Sequence, residues 1–478
     1  MKISTDVAAA DHGAAPWQQT SHARVALLTP YDGGNLGDAA IQDALIRNLR
    51  RIDPAVQLSG ITLRPQKTSE AHQIPCFPLA ANPLPFYHYS PETDPPPPNQ
   101  DSPRAFQLRQ LLRLPVLSLF RKPLRGLKRL AREFRHTIQS YVLLRNVNLL
   151  IVAGGGQLDE EWGGTWGHPF ALMKWTVLAR LAGSSVVFLS VGGCRTTSRL
   201  TRSFLRVALS TACYRSYRDQ GSQDIALAIC PRATGPVVPD LAFSLPLNGV
   251  SPAESPDRAH LHVGVSPIAY GHPFLWPTRD PENYKRYMEQ LGAFISFLVR
   301  QSISVTVFSS GNPDEQIFPE LWNYLDPALA KEELQRITVS NVNSLSGLLQ
   351  TLQSFDFVVA SRLHGLLLSF LSNKPSIAIS YDRKVQCLMN DLDQAAYCVD
   401  IRSIRSDDLR VLFAILQKNA LLIPGKLRAI RANYNELLEA QYQTVGRIMS
   451  LGPRKIAMVN DSASASITTS NTAARPGK

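Results

Sequence analysis

The sequence lacks the features that define several large classes of protein. No apolar run approaches the about 18 residues that a membrane-spanning helix needs. The first residues contain no apolar core of a secretory signal. The six cysteines are scattered, without the close pairs of a zinc site or the regular spacing of a disulfide framework. We therefore expect a cytoplasmic protein with free thiols.

Sequence fingerprints of nucleotide and metal sites are missing as well. The glycine-rich stretch TPYDGGNLGD (29–38) has neither the Gly-x-Gly-x-x-Gly spacing of a dinucleotide site nor the Gly-Lys-Ser/Thr of a P-loop. Asp159, Glu160 and Glu161 carry oxygen ligands, but no further ligand set accompanies them. A solvated acidic turn is the simpler interpretation, and we expect neither a metal nor a nicotinamide cofactor.

The charge of the chain is concentrated in one segment. Charged residues make up only 18% of the 478 residues, and the net charge is +12. Residues 101–145 carry eleven Lys and Arg against two acidic residues, which accounts for most of that excess. This segment is either a helical insertion with a solvated basic face or, through residues 104–135, a peripheral contact with the inner face of a membrane. No nucleic-acid-binding motif accompanies the charge, so we expect no nucleic-acid partner.

Short apolar runs recur along the chain, and several end in Gly or Ser. Their hydrophobicity is continuous rather than alternating, which is typical of parallel strands buried on both faces. Helical patterns lie between them, such as the stripe of Ile41, Leu45, Leu49 and Ile52. This alternation predicts an α/β fold with doubly wound parallel sheets. The runs are RVALLTP (24–30), NLLIVAGGG (148–156), SVVFLSVGG (185–193), HVGVSP (262–267), SVTVFSSG (304–311), FDFVVAS (355–361) and PSIAISY (375–381).

The composition predicts how the chain divides. A stretch rich in Pro and Ser near residues 244–260 separates two series of strands, so we expect two Rossmann-like domains. A Pro-rich and then basic helical insertion at about 75–145 interrupts the first domain. The predicted parts are a disordered tail (1–22), an N-terminal domain (23–245), a linker (246–260), a C-terminal domain (261–450) and a second disordered tail (451–478).

Two glycine-rich loops follow predicted strands. Gly33, Gly34 and Gly37 would let backbone amides approach a ligand at a helix start, where Asp38 is either a helix cap or part of a site. Three consecutive glycines, Gly154 to Gly156, raise the entropic cost of ordering their loop. A ligand that approaches the backbone is the better explanation for them.

Charged residues occur at other predicted strand ends. Arg218 stands beside Asp219 just before a helical pattern, where a surface ion pair is the competing interpretation. PVVPDLAFSL (236–245) has the pattern of a further strand with Asp240 at its end.

Arg362 and His364 interrupt an apolar segment between a predicted strand and a predicted helix. Ligands bind at the carboxyl edge of open α/β sheets. An arginine there offers a planar set of donors for phosphate or carboxylate, and a histidine can move a proton near neutral pH. The alternative is a buried structural histidine with an arginine in an interdomain salt bridge.

Taken in order, these segments resemble the polysaccharide pyruvyl transferase family over roughly residues 24–395. Two departures are the insertion at 75–145 and the absence of a His or Gln near Ser309. The matching elements are N-x-G-D (Asn35, Gly37, Asp38), the triple glycine (Gly154, Gly155, Gly156), S-x-R-D-x-x-S (Ser216, Arg218, Asp219, Ser222), D-x-A-F (Asp240, Phe243), S-x-R-L-H-G (Ser361 to Gly365) and Y-x-x-K (Tyr381, Lys384).

The resemblance implies a GT-B-like arrangement of the two domains with a cleft between them. It implies transfer of a pyruvyl group from phosphoenolpyruvate, as co-substrate, to a sugar of a polysaccharide such as an exopolysaccharide, or of its lipid-linked precursor, forming a pyruvate ketal. Arg218, Arg362, Tyr381 and Lys384 would bind the donor, and Arg362 and His364 would be catalytic, with His364 as acid and base. The acceptor would lie on Asn35, Gly37, Asp38, Gly154, Gly155 and Gly156.

Two other functions stay open at the level of sequence. A GT-B glycosyltransferase would use a nucleotide sugar on the same fold, but the second half of the chain lacks a clear E-x-x-x-x-x-x-E pattern for the ribose. A non-catalytic, membrane-associated polysaccharide assembly protein would depend on the basic segment and would not need the Arg/His pair.

Overall fold

The computed structural model describes residues 22–31, 33–82, 115–160, 162–247, 261–311 and 314–451, without the side chains of 115–126 and 451. The two predicted disordered tails, the Pro-rich part of the insertion and most of the predicted linker therefore lie outside the described residues. None of the helices within these ranges is long and apolar enough to cross a membrane.

The first domain is a parallel sheet flanked by helices. Its strands have the order β3-β2-β1-β4-β6, with β5 and β7 both paired to β6. The order reverses between β1 and β4, the topological switch point at which doubly wound sheets bind ligands. The elements are β1 Arg24–Leu28, α1 Leu36–Ile52, β2 Gln57–Thr62, α2 Pro65–His72, β3 Cys76–Pro78, α3 Pro115–Leu144, β4 Leu149–Ala153, β5 Gly156–Leu158, α4 His168–Leu181, β6 Ser185–Gly193, α5 Arg199–Thr211, β7 Tyr214–Tyr217 and α6 Gln220–Ile229.

The second domain repeats this topology. Its parallel strands have the order β10-β9-β8-β11-β12-β13, so its switch point lies between β8 and β11. Arg362 and His364 directly follow β11 and therefore lie at that point. The elements are β8 His262–Ser266, α7 Pro281–Arg300, β9 Ser304–Phe308, α8 Phe318–Leu321, α9 Lys331–Leu334, β10 Ile337–Ser340, α10 Leu345–Gln353, β11 Phe357–Ala360, α11 Leu363–Leu371, β12 Ser376–Ser380, α12 Arg383–Asp391, β13 Cys398–Asp400, α13 Ser406–Lys418 and α14 Ile423–Leu451.

The strands are buried as the continuous hydrophobic runs predicted. Every residue of β4, β11 and β12 is buried, because helices cover both faces of each sheet. One apolar cluster extends from one face of the first sheet into the second domain, and α1 packs against α10 and α11 across the boundary. The domains therefore meet through apolar contacts as well as through the site.

One strand predicted from sequence is wrong. Residues 236–245 form an isolated bridge between Val237 and Tyr217, followed by a 3-10 turn, Leu241–Ser244. Pro236 and Pro239 have no N–H to donate, so a continuous ladder cannot form. Asp240 instead caps the turn, accepting a hydrogen bond from the amide of Ala242 at 3.0 Å.

Helix α14 passes back from the second domain to the first. Gln441, which is buried, hydrogen-bonds Ser190 and Ser216 beside β6 and β7. Glu439 pairs with Arg51 of α1 at 2.6 Å. The first domain therefore depends on residues that follow all strands of the second sheet in sequence.

Helix α7 holds the two loops of the second switch point together. The Tyr287 hydroxyl is fully buried, accepts a hydrogen bond from the amide of Ile268 at 3.2 Å and lies 3.4 Å from Ser361 Oγ. Ile268 follows β8 and Ser361 follows β11. The position of α7 against the sheet therefore determines the position of both loops.

We predict that Gly292→Ala in α7 destabilises the protein by about 1–3 kcal/mol. A Cβ at this position would lie 2.2 Å from the carbonyl oxygen of Tyr324, which is backbone and cannot rotate away. The matched control is Gly425→Ala in α14, where a Cβ would meet no atom within 4 Å. That control should be neutral or stabilise by up to about 1 kcal/mol. Chemical denaturation measures both, and equal effects would contradict the prediction.

Candidate functional site

The two switch points face each other and are in direct contact. Asn35 forms an antiparallel bridge with Gly311, and the amide of Leu36 donates to the carbonyl of Ser310 at 3.1 Å. The loop after β1 is thus hydrogen-bonded to the loop after β9. The carboxyl edges of both sheets form one site between the domains.

Gly37 allows this approach. Asn35 caps α1 by accepting a hydrogen bond from the amide of Gly37 at 3.0 Å, which fixes the first turn. A Cβ on Gly37 would lie 2.1 Å from Cγ of His364, so the imidazole packs directly on the glycine backbone. His364 therefore faces the first domain.

Arg362 is held by a carboxylate of its own domain. Its Nε bonds Asp314 Oδ2, and one terminal nitrogen bonds Asp314 Oδ1 at 3.0 Å. Burial alone would lower the pKa of Arg362, but the Asp314 carboxylate raises it above its ordinary value. The charge of Asp38 acts in the same direction, so its carboxylate lies near this guanidinium. The interdomain salt bridge considered as an alternative for Arg362 is therefore replaced by an ion pair within the second domain.

Asp240 lies between two of the predicted site residues. Its Oδ2 is 3.6 Å from Nη1 of Arg218 and 3.8 Å from Nε2 of His364. These are ion-pair distances, too long for hydrogen bonds, and Oδ2 has no hydrogen-bond partner among the residues described. Burial alone would raise the pKa of Asp240, but His364 and Arg218 lower it below its ordinary value. A carboxylate thus connects a cation of the first domain to the histidine of the second.

The S-x-R-D-x-x-S box divides into structural residues and one site residue. Asp219 caps α6, accepting hydrogen bonds from the amide and the hydroxyl of Ser222 at 2.7 and 2.9 Å. The Ser216 hydroxyl accepts from the amide of Ser190 at 2.7 Å. Arg218 lies over Gly192, with Nη2 2.6 Å from the position that a Cβ of residue 192 would take. Only 13% of the Arg218 side chain is exposed. It is not the surface ion pair considered above.

The triple-glycine turn is shaped by a buried amide and a buried histidine. Gly154 and Gly155 have φ of +45° and +66°, which favour glycine. Gln157 Nε2 donates to the carbonyls of Ala153 and Gly154 at 3.2 and 2.8 Å, so its Oε1 must accept the hydrogen bond from His168 Nε2 at 2.9 Å. Burial lowers the pKa of His168 to about 4, so the ring is neutral with its proton on Nε2.

The turn faces the Asp38 carboxylate. A Cβ on Gly155 would lie 3.6 Å from Asp38 Oδ1, and the Gly155 carbonyl accepts from the amide of Gly192 at 2.7 Å. The structure therefore brings the predicted acceptor residues Asn35, Gly37, Asp38 and Gly154 to Gly156 together at the first switch point.

An aromatic wall borders the second domain's side of the site. Lys384 Nζ lies 5.5 Å from the ring centroid of Tyr381, a cation–π distance. Tyr381 in turn contacts the rings of Trp276 and Tyr270, with centroids 5.6 and 5.9 Å away. Tyr381 is also one of the groups that act on the pKa of Arg362, so the two side chains lie near each other.

The N-terminus of α11 has the chemistry of an anion site. Its first residue follows Arg362, which makes no side-chain cap, so the first amides have no capping acceptor. A Cβ on Gly365 in this turn would lie 3.4 Å from Ser310 Oγ and 3.9 Å from Ser266 Oγ. Both hydroxyls are buried and have no hydrogen-bond partner among the residues placed by the structure. Donors therefore converge where Arg362 and His364 also lie.

No group of three or more His, Cys, Asp or Glu suited to a metal occurs within the described ranges. Asp159 is buried, which differs from the solvated turn expected, and Glu160 accepts from the amide of Ser198 at 3.3 Å. Glu161 lies outside the described residues. A cavity of about 410 Å³ lies elsewhere, between α1, Leu245 to Leu247 and α14, where it borders the connection between the domains.

Both arginines and His364 were predicted as site residues. No role was predicted for Asp240 and Asp314, which contact them, or for Gln157 and His168, which shape the triple-glycine turn. Asp240 stood inside a recognised motif, and its place after two prolines was the available signal. No sequence pattern marked Asp314, which follows a short loop after β9, as the partner of Arg362. Gln157 and His168 looked like ordinary loop and helix residues.

The sequence profile of the polysaccharide pyruvyl transferase family matches residues 35–383. No curated protein matches the chain in sequence. In structure the chain is similar to the UDP-GlcNAc 2-epimerase from Methanocaldococcus jannaschii, at 10% identity and TM-score 0.51 over 82% of this chain and 92% of that one. It is also similar to the glycotransferase of kitacinnamycin, at 11% identity and TM-score 0.51 over 90% of this chain and 99% of that one. These similarities show the fold alone, and the predicted pair of Rossmann-like domains in a GT-B-like arrangement is confirmed.

We predict that His168 makes stability depend on pH. Because the pKa of His168 is about 4 in the folded protein and about 6.5 in an unfolded chain, the unfolded state binds more protons between these values. The free energy of unfolding should therefore fall by about 3 kcal/mol as pH falls from about 6.5 to about 4.

His168→Gln keeps a donor for Gln157 but does not titrate, so it should lose this part of the pH dependence. Denaturation midpoints across the pH range measure the difference between the two proteins. His22→Gln, at an exposed position, is the control and should follow the wild type. Parallel pH profiles for wild type and His168→Gln would refute the assignment.

Proposed function

Because the chain belongs to the polysaccharide pyruvyl transferase family, we propose that it transfers the pyruvyl unit of phosphoenolpyruvate to a sugar and closes a pyruvate ketal. The observation that carries this proposal is the meeting of Arg218, Asp240 and His364 across the two domains beside Arg362. A small donor with two anionic groups requires cations and free amides, which the two arginines and the uncapped helix supply. A proton-transfer step requires an acid and base, which the histidine with its carboxylate supplies.

The donor would be bound by charge and by backbone amides. Phosphoenolpyruvate carries a phosphate and a carboxylate, which guanidinium groups bind in a planar, bidentate manner. Asp314 engages Nε and one terminal nitrogen of Arg362, which fixes its plane and leaves Nη1 outside the pair. The α11 N-terminus with Ser266 and Ser310 would supply further donors for one anionic group. Lys384 and Tyr381 would border the same group.

His364 would move the protons. The methylene carbon of the donor takes a proton from His364 and becomes the methyl group, while one sugar hydroxyl attacks the neighbouring carbon. Phosphate then leaves with the electrons of its C–O bond, and a second hydroxyl attacks and closes the ring. The proton of the second hydroxyl returns to His364, and the proton of the first hydroxyl leaves with phosphate. Asp240, 3.8 Å from Nε2, would orient the ring and stabilise the imidazolium.

The acceptor would lie on the first domain. The triple-glycine turn offers backbone within reach of a sugar, and Asp38 stands between this turn and Arg362. Asp38 would accept the proton of the first attacking hydroxyl and pass it to the departing phosphate. The acceptor would be a sugar of a polysaccharide or of its lipid-linked precursor, and the second case requires that the cleft reach a membrane surface.

A GT-B glycosyltransferase remains the second candidate, and one observation favours it. The fold is shared with the glycotransferase of kitacinnamycin and with a UDP-GlcNAc 2-epimerase. Such an enzyme would release a nucleoside diphosphate from a nucleotide sugar and would leave phosphoenolpyruvate unchanged. The two functions therefore differ in the product that they release.

The decisive experiment supplies phosphoenolpyruvate and, separately, UDP-sugars together with a panel of bacterial glycans. Phosphate release from phosphoenolpyruvate that depends on a glycan, with a mass gain of one ketal-linked pyruvate on that glycan, supports the proposal. Release of UDP without phosphate would replace it with the glycosyltransferase. Turnover of neither donor, by protein that is folded, would favour the non-catalytic assembly protein.

We predict that His364→Ala lowers kcat by about 10²–10⁴-fold, since a positioned acid and base contributes that much. Asp240→Asn, which keeps the shape and removes the charge, should cause a smaller loss in kcat. The control is His262→Ala at the opposite edge of the second sheet, which should retain turnover. Thermal unfolding confirms that each variant is folded. Full turnover by folded His364→Ala would remove histidine from the mechanism.

A further inference from the structure

Helix α3 projects past the domain to which it is anchored. It has 30 residues and α4 has 14, which at about 1.5 Å per residue are roughly 45 and 21 Å long. Both helices end at the amino edge of the first sheet, where Ser184 Oγ donates to the carbonyls of Leu144 and Val147 at 3.1 and 2.8 Å. The N-terminal half of α3 therefore extends beyond α4, towards the carboxyl edge.

Contacts along α3 locate that edge. His136 Nε2 lies 2.9 Å from the carbonyl of Pro78, the last residue of β3 and hence at the carboxyl edge. Lys174 of α4 bonds Glu133 and lies 3.1 Å from Nδ1 of His136. Of residues 127–135 all but Glu133 are exposed, so the helix leaves the body of the domain at this level.

The exposed part of α3 carries an apolar stripe. Its members recur at intervals of three and four residues, which places them on one face of the helix, and between 49% and 68% of each is exposed. The face that packs on the domain is a different one, formed by His136, Ser140 and Leu144, which are buried. The stripe consists of Leu127, Leu130, Phe134, Ile138 and Val142.

Basic side chains occupy the rest of the exposed surface of α3, and at about 100° per residue Lys128 and Arg135 lie at the border of the stripe. Lys128, Arg129, Arg132 and Arg135 are exposed, and the only acidic residue of 127–145 is Glu133, which Lys174 engages. Trp166, 67% exposed, stands at the N-terminal end of α4 on the same edge of the sheet. Tryptophan at such a place is typical of a membrane–water interface.

This combination selects one kind of partner. A second copy of the chain, pairing stripe to stripe, would bring two uncompensated basic faces together. Nucleic acid would bind the charges but leave five apolar side chains in water. An anionic lipid surface satisfies both, because headgroups attract the basic residues while the stripe enters the boundary with the acyl chains.

We propose that α3 docks the protein on an anionic membrane surface through this stripe and its basic neighbours. The docked end of α3 is the end at the carboxyl edge, so the first-domain loops of the site turn towards the bilayer. That the bilayer presents the acceptor rests on the proposed function, whereas the docking itself does not.

The test measures co-sedimentation of the full chain with vesicles of phosphatidylcholine alone and of phosphatidylcholine with phosphatidylglycerol. Binding should require phosphatidylglycerol and weaken at high salt. Lys128→Ala/Arg135→Ala, at the border of the stripe, should weaken it about thirtyfold, since each basic residue near such a surface contributes about fivefold. Leu130→Gln/Phe134→Gln should weaken it at least about tenfold through lost apolar burial.

The matched control is Val411→Gln/Leu422→Gln, which removes two similarly exposed apolar side chains of the second domain and should bind as the wild type does. Equal binding to both vesicle types, or undiminished binding by both α3 variants, would overturn the proposal. So would a wild-type dimer that the stripe variant converts to a monomer. Vesicle binding as expected without any pyruvyl transfer would keep the docking and remove the proposed function.

Discussion

The close contact between Gly37 and His364 is the constraint on which the rest of the site depends. Each sheet alone carries only part of the polar groups of the site. Because the first turn of α1 has no side chain at residue 37, the imidazole rests on its backbone and reaches Asp240 of the first domain. The bridge between Asn35 and Gly311 fixes the same approach. The absence of a side chain at Gly37 thus allows the two domains to form one site.

Buried carboxylates balance the buried positive charges of the site. Each buried guanidinium of the site has a carboxylate, Asp314 for Arg362 and Asp240 with Asp219 for Arg218. An unpaired ion at this depth would be costly, so the carboxylates are part of what makes the cations possible. The pairs differ in tightness, because Asp314 makes two hydrogen bonds whereas Asp240 stands beyond hydrogen-bond distance of both partners. The more loosely held carboxylate, Asp240, is the one that also faces His364 of the second domain.

The sequence predicted local features well and long-range contacts poorly. Continuous apolar runs are a direct consequence of two-sided burial, so the strands and the pair of α/β domains followed from them. The predicted ligand residues are brought together because they stand at strand ends. Asp314 was missed because its partner, Arg362, lies 48 residues further along the chain. His168 was missed because nothing at a helix start indicates that its side chain hydrogen-bonds a buried glutamine. The extra strand at 236–245 was predicted because apolar content outweighed two prolines whose missing N–H groups prevent a ladder.

The return of α14 to the first domain has a consequence for synthesis. Gln441 completes hydrogen bonds to Ser190 and Ser216, so the first domain lacks part of its buried polar network until the second has been translated. Domains usually fold in order as they leave the ribosome. Here the earlier domain can complete its buried hydrogen bonds at β6 and β7 only after α14 has been synthesised.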